Sequence, residues 1–206
     1  MQIRMNNVCK TVKGVPLLSD ICLEMESGHI YGFVGDNGAG KTVLFKILLG
    51  LMKKTSGSVT VDGTELKDLL QDVGFIIERP EYIPYYSGYK NLAVLAGIRK
   101  KAGKERIREA LLMFGLDPDS KKPVGKYSLG MKQKLALAMA FMEDPEVLVL
   151  DEPLSALDEN SVDGARKKIL EEKERGKLVL VASHYKEDIA SLCDVVYKMK
   201  DGRIVV

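Results

Sequence analysis

The stretch GDNGAGKT at residues 35–42 places three glycines and one lysine between two hydrophobic runs, residues 30–34 and 43–49. Glycines let backbone N–H groups come close to an anion, and they adopt the positive φ angles that turn successive N–H groups inward. The pattern G-x-x-x-x-G-K-T between a strand and a helix is that of a P-loop, which holds a nucleoside triphosphate. This stretch therefore predicts a site for a chain of phosphates.

Each part of the loop has a predicted role. Lys41 is expected to reach the β- and γ-phosphates, and Thr42 to offer its hydroxyl to Mg²⁺. The helix that follows adds partial positive charge at its N-terminus, on the side of the phosphates. ATP and Mg²⁺ are the expected ligands. The residues predicted to bind ATP in this stretch are Gly35, Asp36, Asn37, Gly38, Ala39, Gly40, Lys41, Thr42 and Val43.

The stretch VLVLDEP at residues 147–153 ends an apolar strand with two carboxylates, Asp151 and Glu152. In open α/β sheets, ligands bind beyond the C-terminal ends of the strands. Asp151 is predicted to hold Mg²⁺ there through its water shell. Glu152 is predicted to orient and deprotonate the attacking water, which makes it the expected catalytic base.

Short runs rich in Val, Ile and Leu alternate with longer helical patterns, as in α/β folds with a mostly parallel sheet. The expected strands are residues 3–8, 21–25, 30–34, 58–61, 73–77, 147–150, 178–182, 195–199 and 203–205. The expected helices are residues 42–51, 89–101, 104–114, 130–143, 161–175 and one that begins at Lys186. Residues 3–34 hold three strands without room for a helix, so we expect an antiparallel β edge there.

The expected fold class is α/β, with a P-loop NTPase core, an antiparallel edge from the N-terminal segment and an inserted helical subdomain. Residues 80–141 lack strand signals and form the predicted helical subdomain. Residues 1–79 and 142–206 form the predicted catalytic core, within one domain that spans the whole chain. The basic run at residues 99–109 is interpreted as a solvated face, because no aromatic residues are interleaved with it.

Composition and charge argue against several classes of protein. A net charge of +2 over 206 residues is too small to indicate nucleic acid or an anionic membrane as the main partner. Three widely spaced cysteines indicate reduced thiols in a cytosolic protein. No run reaches the 18 or so apolar residues of a membrane-spanning helix, so we expect no direct membrane insertion.

Five elements, in order, resemble the ATP-binding cassette family. Residues 35–42 resemble its Walker A loop, and residues 147–153 resemble its Walker B strand. YSLGMKQ at residues 127–133 resembles the family signature, which other P-loop NTPases lack. SALD at residues 155–158 resembles the D-loop, and the SH pair at residues 183–184 resembles the switch histidine. The signature is most similar to that of the branch that exports bacitracin, lantibiotics and other peptides or drugs.

The resemblance implies an ATP-hydrolysing subunit of a transporter that exports peptides, antibiotics or drugs. A second cassette, identical or similar, is implied as a partner, because each signature binds the ATP held by the other subunit. A membrane permease on separate polypeptides is implied to dock near the Q-loop and the helical subdomain, at the inner face of the plasma membrane. His184 is implied to be catalytic. The implied signature contacts are Ser128, Leu129, Gly130 and Met131, and the implied D-loop residues are Ser155, Ala156, Leu157 and Asp158.

Two positions depart from the family pattern. The family usually stacks an aromatic residue on adenine where this chain has Val12, so Val12 is the expected but weaker adenine contact. Glu78 stands where the Q-loop usually has a metal-contacting glutamine, and it joins Thr42 and Asp151 as an expected metal ligand. The alternative function is a non-transport or regulatory cassette with weak turnover. Glu152 and His184 argue against weak turnover, whereas the two departures keep that alternative open.

Overall fold

Ten strands and six α-helices make up the computed structural model, which describes residues 1–78 and 80–205. The strands are β1 (Gln2–Val12), β2 (Val15–Glu26), β3 (Ile30–Val34), β4 (Ser56–Val61), β5 (Thr64–Glu65), β6 (Val73–Ile76), β7 (Val147–Asp151), β8 (Leu178–Ser183), β9 (Val195–Lys200) and β10 (Arg203–Val205). The helices are α1 (Lys41–Leu48), α2 (Gly88–Arg99), α3 (Lys104–Met113), α4 (Leu129–Phe141), α5 (Glu159–Glu174) and α6 (Lys186–Leu192), with a 3₁₀ turn at Val124–Lys126.

A six-stranded sheet lies at the centre of the fold, in the order β10-β9-β3-β8-β7-β6. All neighbouring pairs in this sheet are parallel except β9 and β10. Every residue of β7 and β8 is buried, as expected for apolar strands covered by helices on both faces. Because β3, β7 and β8 run in the same direction, the segments that follow them meet at one edge of the sheet.

The N-terminal strands form a second sheet, in the order β2-β1-β4-β5, and all its pairs are antiparallel. The predicted antiparallel pairing is therefore present, but β3 belongs to the parallel sheet instead. The reason is burial, since four of the five residues of β3 are buried, whereas β1 and β2 alternate and bury one face. The short strand β5 was not predicted.

The helices end within a few residues of their predicted limits. Helices α2, α3 and α4 pack together through buried side chains that also reach the apolar strands β7 and β8. The division into a core and a helical subdomain stays a prediction, and its boundary residues 79 and 206 lie outside the described residues. Over the part of the chain that the structure describes, no helix is long and apolar enough to span a bilayer.

Candidate functional site

The glycine-rich loop connects β3 to α1 and lies against β2 and β9. Gly40 precedes the first helical residue with φ 103°, a conformation open to glycine. A Cβ on Gly40 would lie 2.8 Å from Leu18 Cδ2, and one on Gly35 would press against the carbonyl oxygen of Met199. Both glycines are therefore required by the close approach of the loop to its neighbours, and Gly40 is also required by its backbone angle.

Lys41 holds the loop closed from inside. Its ammonium donates to the carbonyl oxygens of Gly35 at 2.5 Å and Asp36 at 3.2 Å, and the residue is only 6 % exposed. Among residues 1–78 and 80–205, no carboxylate lies within ion-pair distance of this ammonium. A buried, uncompensated cation beneath bare backbone favours an anionic ligand, as the P-loop pattern predicts.

Thr42 and Asp151 come from opposite halves of the sequence and meet at the edge of the sheet. Thr42 Oγ1 donates to Asp151 Oδ2 at 2.6 Å, and Asp151 is 8 % exposed. Burial raises the pKa of Asp151, and the nearby charges of Glu152 and Glu78 raise it further, against the opposing effects of the Thr42 hydrogen bond and the Lys41 charge. A hydroxyl beside a carboxylate is a set of hard oxygen donors that fits Mg²⁺.

Glu152 and His184 are paired where β7 and β8 end. Glu152 Oε1 accepts a hydrogen bond from the backbone N–H of His184 at 3.0 Å and lies 2.8 Å from its Nδ1. Glu152 Oε2 makes only a long contact, 3.5 Å, with Ser183 Oγ. The backbone of Glu152 has φ 51°, an uncommon conformation for a residue with a side chain. The predicted base and the predicted switch histidine are thus in direct contact.

A cavity of about 680 Å³ lies over the glycine loop. Its lining brings together Lys41, Thr42, Asp151 and Glu152, which the sequence places 109 or more residues apart across the two motifs. The remaining lining residues are Val15, Pro16, Leu17, Asp36, Asn37, Gly38, Ala39, Gly40, Val43, Glu78, Asp201 and Gly202. This cavity is the candidate nucleotide site.

The predicted adenine contact, Val12, is not among the residues that line this cavity. Val12 pairs with Val15 across the turn between β1 and β2, and it is Val15 that faces the cavity, with 59 % of its surface exposed. Sequence reasoning missed Val15 and its neighbours. The Lys-Gly turn at residues 13–14 was the available signal, because it makes the chain double back beside the loop.

Glu78 lines the same cavity but is engaged by another residue. Its Oε1 lies 2.6 Å from the Lys46 ammonium, on the last turn of α1. Glu78, Thr42 and Asp151 were expected to hold a metal ion. Glu78 pairs with Lys46, and the described residues contain no group of three or more His, Cys, Asp or Glu side chains that could hold one. The proximity of Glu78 to the metal position stays a prediction.

The signature residues begin α4, at a distance from the glycine loop within this chain. Ser128 caps the helix by accepting a hydrogen bond from the Met131 N–H at 3.2 Å. Leu129 is 59 % exposed, and Gly130 approaches the carbonyl oxygen of Ala156 in the D-loop. Over residues 1–78 and 80–205, the lining of the nucleotide cavity includes none of the four signature residues. Leu129 instead lines a second cavity, of about 630 Å³, that Glu152 also faces.

The D-loop residues connect the Walker B strand to α5. Asp158 caps α5 by accepting a hydrogen bond from the Ser161 N–H, and Ser155 Oγ donates to the Glu152 carbonyl oxygen at 2.8 Å. Gln133, which was not among the predicted site residues, donates from α4 to the carbonyl oxygens of Glu152 and Pro153, at 3.2 and 2.8 Å. These hydrogen bonds connect α4, the helix that begins at the signature, to residues 152–153 after the Walker B strand.

Comparison with known proteins agrees with this geometry. The family described as ABC transporter matches residues 18–155. An uncharacterized ABC transporter ATP-binding protein, YybJ of Bacillus subtilis, is 42 % identical over 98 % of this chain and 94 % of its own length. The bacitracin transport ATP-binding protein BcrA of Enterococcus faecalis is 36 % identical over 98 % of this chain and 68 % of its own length.

A solved structure has the same fold. The dimeric structure of MJ0796, a bacterial ABC transporter cassette, is 26 % identical, covers 99 % of this chain and 97 % of its own, and superposes with a TM-score of 0.89. These comparisons confirm the predicted α/β fold class, the ATPase activity and the branch that includes bacitracin transport proteins. The chain therefore belongs to the ABC transporter family, as one of its ATP-binding subunits.

Proposed function

We propose that this chain hydrolyses ATP at composite sites in a dimer and thereby drives the export of peptides, antibiotics or drugs by a separate permease. The observation that supports it most directly is that Glu152, which is in contact with His184, lines one cavity together with Lys41, Thr42 and Asp151. A phosphate cradle, a pair of oxygen donors for a metal ion and a carboxylate base converge there, as phosphoryl transfer to water requires.

Glu152 acts on the attacking water. Because His184 occupies Oε1, the second oxygen, Oε2, is available to accept the proton of that water. The water oxygen then bonds to the γ-phosphorus, while the bond to the β,γ-bridging oxygen breaks and ADP leaves with the electron pair. His184 orients the carboxylate and meets the γ-phosphate.

Thr42 and Asp151 would hold the Mg²⁺ that accompanies ATP. An ion held there would supply positive charge against the phosphates. Lys41 complements this charge from the opposite side of the loop, where its ammonium already lies beneath the backbone. The glycine loop and the N-terminus of α1 then bind the phosphate oxygens through backbone N–H groups.

A second subunit completes each site. The signature residues of this chain lie outside the lining of its own nucleotide cavity, and Leu129 is exposed. In a two-fold dimer, the signature helix of each subunit meets the ATP on the loop of the other, so a single isologous interface contains two equivalent sites. The partner is a second copy of this chain or a similar cassette.

The permease docks on the face next to β6 and α2. An apolar groove of about 270 Å³ there has Phe75 and Ile98 exposed on its rim, 45 % and 73 % respectively. Arg99 and Glu143 form an ion pair at 3.2 Å among the groove residues. A cytoplasmic segment of the permease with an apolar face fits this groove, and this contact places the subunit at the inner face of the plasma membrane. The resemblance to a bacitracin transport protein supports peptide antibiotics as the cargo.

The experiment that tests catalysis is Glu152→Gln. The amide keeps the shape of the side chain and removes the base, so hydrolysis should fall by roughly 10²- to 10⁴-fold while ATP binding is retained. The ATP-bound variant should accumulate as a dimer, which size-exclusion chromatography with and without ATP detects. Glu187→Gln is the matched control. Glu187 is exposed and lies three residues after His184, so this variant should behave as wild type.

Normal turnover and a monomeric state of Glu152→Gln in ATP would contradict both roles. The transport role is tested separately, by purifying the tagged chain from a detergent extract. A co-purifying polytopic membrane protein, lost in Ile98→Asp, supports the exporter. Co-purification of ribosomes or DNA, instead of a membrane protein, would favour a non-transport cassette. Slow ATP turnover by the wild-type protein would favour a regulatory cassette.

A further inference from the structure

An ion pair with little exposed surface connects α5 and α6. Arg166, on α5, donates from one terminal nitrogen to Asp188 Oδ1 at 2.7 Å. The side chains of Arg166 and Asp188 are 25 % and 11 % exposed. Ion pairs with so little exposure are costly to bury, so the pair is not explained by surface stability alone.

The second carboxylate oxygen of Asp188 accepts a hydrogen bond from Ser183, the residue before His184. Ser183 Oγ lies 3.3 Å from Asp188 Oδ2 and 3.5 Å from Glu152 Oε2, and the whole residue is 1 % exposed. A hydroxyl has one proton to donate, and Asp188 is the nearer acceptor. The serine oxygen also accepts a hydrogen bond from the Tyr185 N–H at 3.0 Å. The direction of the Ser183 hydroxyl is therefore set from the side of α5 and α6.

The consequence concerns the three residues 183–185, which form the end of β8 and the turn into α6. Ser183 is held by Asp188, Tyr185 is held by Ser183, and His184 between them is held by Glu152. The side-chain hydrogen bonds of Ser183 and His184 thus lead to the catalytic carboxylate of Glu152 or to Asp188, which in turn binds Arg166. A shift of Arg166 would move the imidazole relative to Glu152.

We propose that Arg166 and Asp188 are positioning residues that hold the 183–185 turn so that His184 and Glu152 meet in the geometry needed for hydrolysis. Their effect passes through Ser183 and requires no contact with ATP. The inference rests on the proposed catalytic roles of Glu152 and His184. Its first readout is therefore the environment of the histidine itself, which does not depend on turnover.

The chain has two histidines, so the imidazole signal of His184 can be followed by ¹⁵N nuclear magnetic resonance with His29 as an internal control. In Ser183→Ala and in Arg166→Met, we expect the His184 signal to move while the His29 signal stays. The turnover number should fall by about ten- to a hundred-fold, the scale of a small misplacement of catalytic groups, with the ATP dissociation constant unchanged. Relative to Arg166→Met, Arg166→Lys should restore part of both, because a lysine ammonium can donate to the same Asp188 oxygen.

Ser183→Ala leaves the Arg166–Asp188 pair intact, so it remains informative if Arg166→Met does not fold, which a thermal melt shows. Lys168→Met is the matched control, since it removes an exposed ion pair with Glu171 on the same helix and should change neither readout. An unmoved His184 signal or a wild-type turnover number in folded Ser183→Ala would overturn the proposal. Wild-type hydrolysis by Glu152→Gln would instead refute the catalytic assignment, while the resonance shifts still report on the turn.

Discussion

The Lys46 ammonium lies 2.6 Å from Glu78 Oε1 and joins the last turn of α1 to the segment that follows β6. Their side chains are 26 % and 63 % exposed, so the pair contributes little to stability, about 0–1 kcal/mol. Its importance is electrostatic. Glu78 faces the nucleotide cavity with Asp151 and Glu152, and Lys46 offsets one of the three negative charges that a triphosphate would meet there.

The pair predicts opposite effects of two substitutions on ATP affinity in EDTA. Glu78→Gln removes a negative charge, so it should bind ATP better in EDTA and lose part of that gain when Mg²⁺ is added. Lys46→Met exposes the charge of Glu78, so it should bind ATP less well in EDTA and depend more steeply on Mg²⁺. Each change should be about 1 kcal/mol, because solvent weakens the interaction of charges near the surface.

Titration of each protein with ATP, once in Mg²⁺ and once in EDTA, measures these effects. The double variant Lys46→Met/Glu78→Gln completes a double-mutant cycle. Lys54→Met, which breaks a comparably exposed pair with Glu65 away from the cavity, is the control. Equal ratios of affinity in Mg²⁺ and in EDTA for wild type and Glu78→Gln would mean that Glu78 acts away from the metal, toward the permease.

Lys41→Ala should weaken ATP binding by at least about ten- to a hundred-fold. The substitution removes a charged donor to the phosphates, worth roughly 1.5–3 kcal/mol, and also the two bonds that hold the loop closed. Fluorescence titration with a nucleotide analogue measures the loss. Lys90→Ala is the control. It removes a lysine of α2 that lies over the ring of Tyr86, and it should bind ATP normally. Wild-type affinity in Lys41→Ala would refute the P-loop assignment.

The parts of the site that sequence predicts well are encoded over a few consecutive residues. The spacing of the glycines and Lys41 lies within eight consecutive residues, and Asp151 follows directly from an apolar strand, so both could be predicted without tertiary information. The position of Val15 at the cavity depends instead on how β1 pairs with β2. The turn at residues 13–14 sets that register locally. Which residue of the hairpin comes to lie beside the glycine loop depends on long-range packing, which the sequence pattern does not show.

Side-chain partners show the same division. Glu78 and Lys46 are 32 residues apart, and the backbone of Glu78 has φ 57°, which redirects the side chain in a way that no periodicity reveals. The assignment of β3 to the parallel sheet likewise depends on its pairing with β8 and β9, which are distant in sequence. Sequence therefore predicts the chemistry of the site, whereas the pairing of its charges needs the fold.

The three cysteines should differ strongly in reactivity. Burial raises the pKa of Cys193 to about 12, with smaller contributions from Asp194 and Asp188, so almost none of this thiol is ionised at pH 8. Cys22 is exposed. A thiol reagent at pH 8 should modify Cys22 at least about 100-fold faster than Cys193, as mapped by mass spectrometry. Rapid labelling of Cys193 in the native protein would contradict its placement, and denatured protein should show no such difference.

Asp144 should make stability depend on pH in the acid range. Hydrogen bonds and charge from Arg175, and then from Lys177, lower the pKa of Asp144 to about 2, from 3.8. A carboxylate whose pKa is depressed by folding stabilises the protein above the unfolded value, and this contribution is lost as pH falls from about 4 to about 2. Asp144→Asn should therefore lower the unfolding free energy at pH 7, and the two proteins should converge near pH 2.

The expected difference at pH 7 is about 1 kcal/mol, because Asp144 is 41 % exposed and solvent screens its charge, while Lys177 keeps Glu172 as a partner. Asparagine tolerates the positive φ of this position, 53°, so the substitution adds no backbone strain. Urea unfolding at several pH values measures the difference. Asp119→Asn, which breaks a fully exposed pair with Arg108, is the control and should change the unfolding free energy little. A gap between wild type and Asp144→Asn that stayed constant from pH 7 to pH 2 would show that Asp144 acts through packing instead of charge.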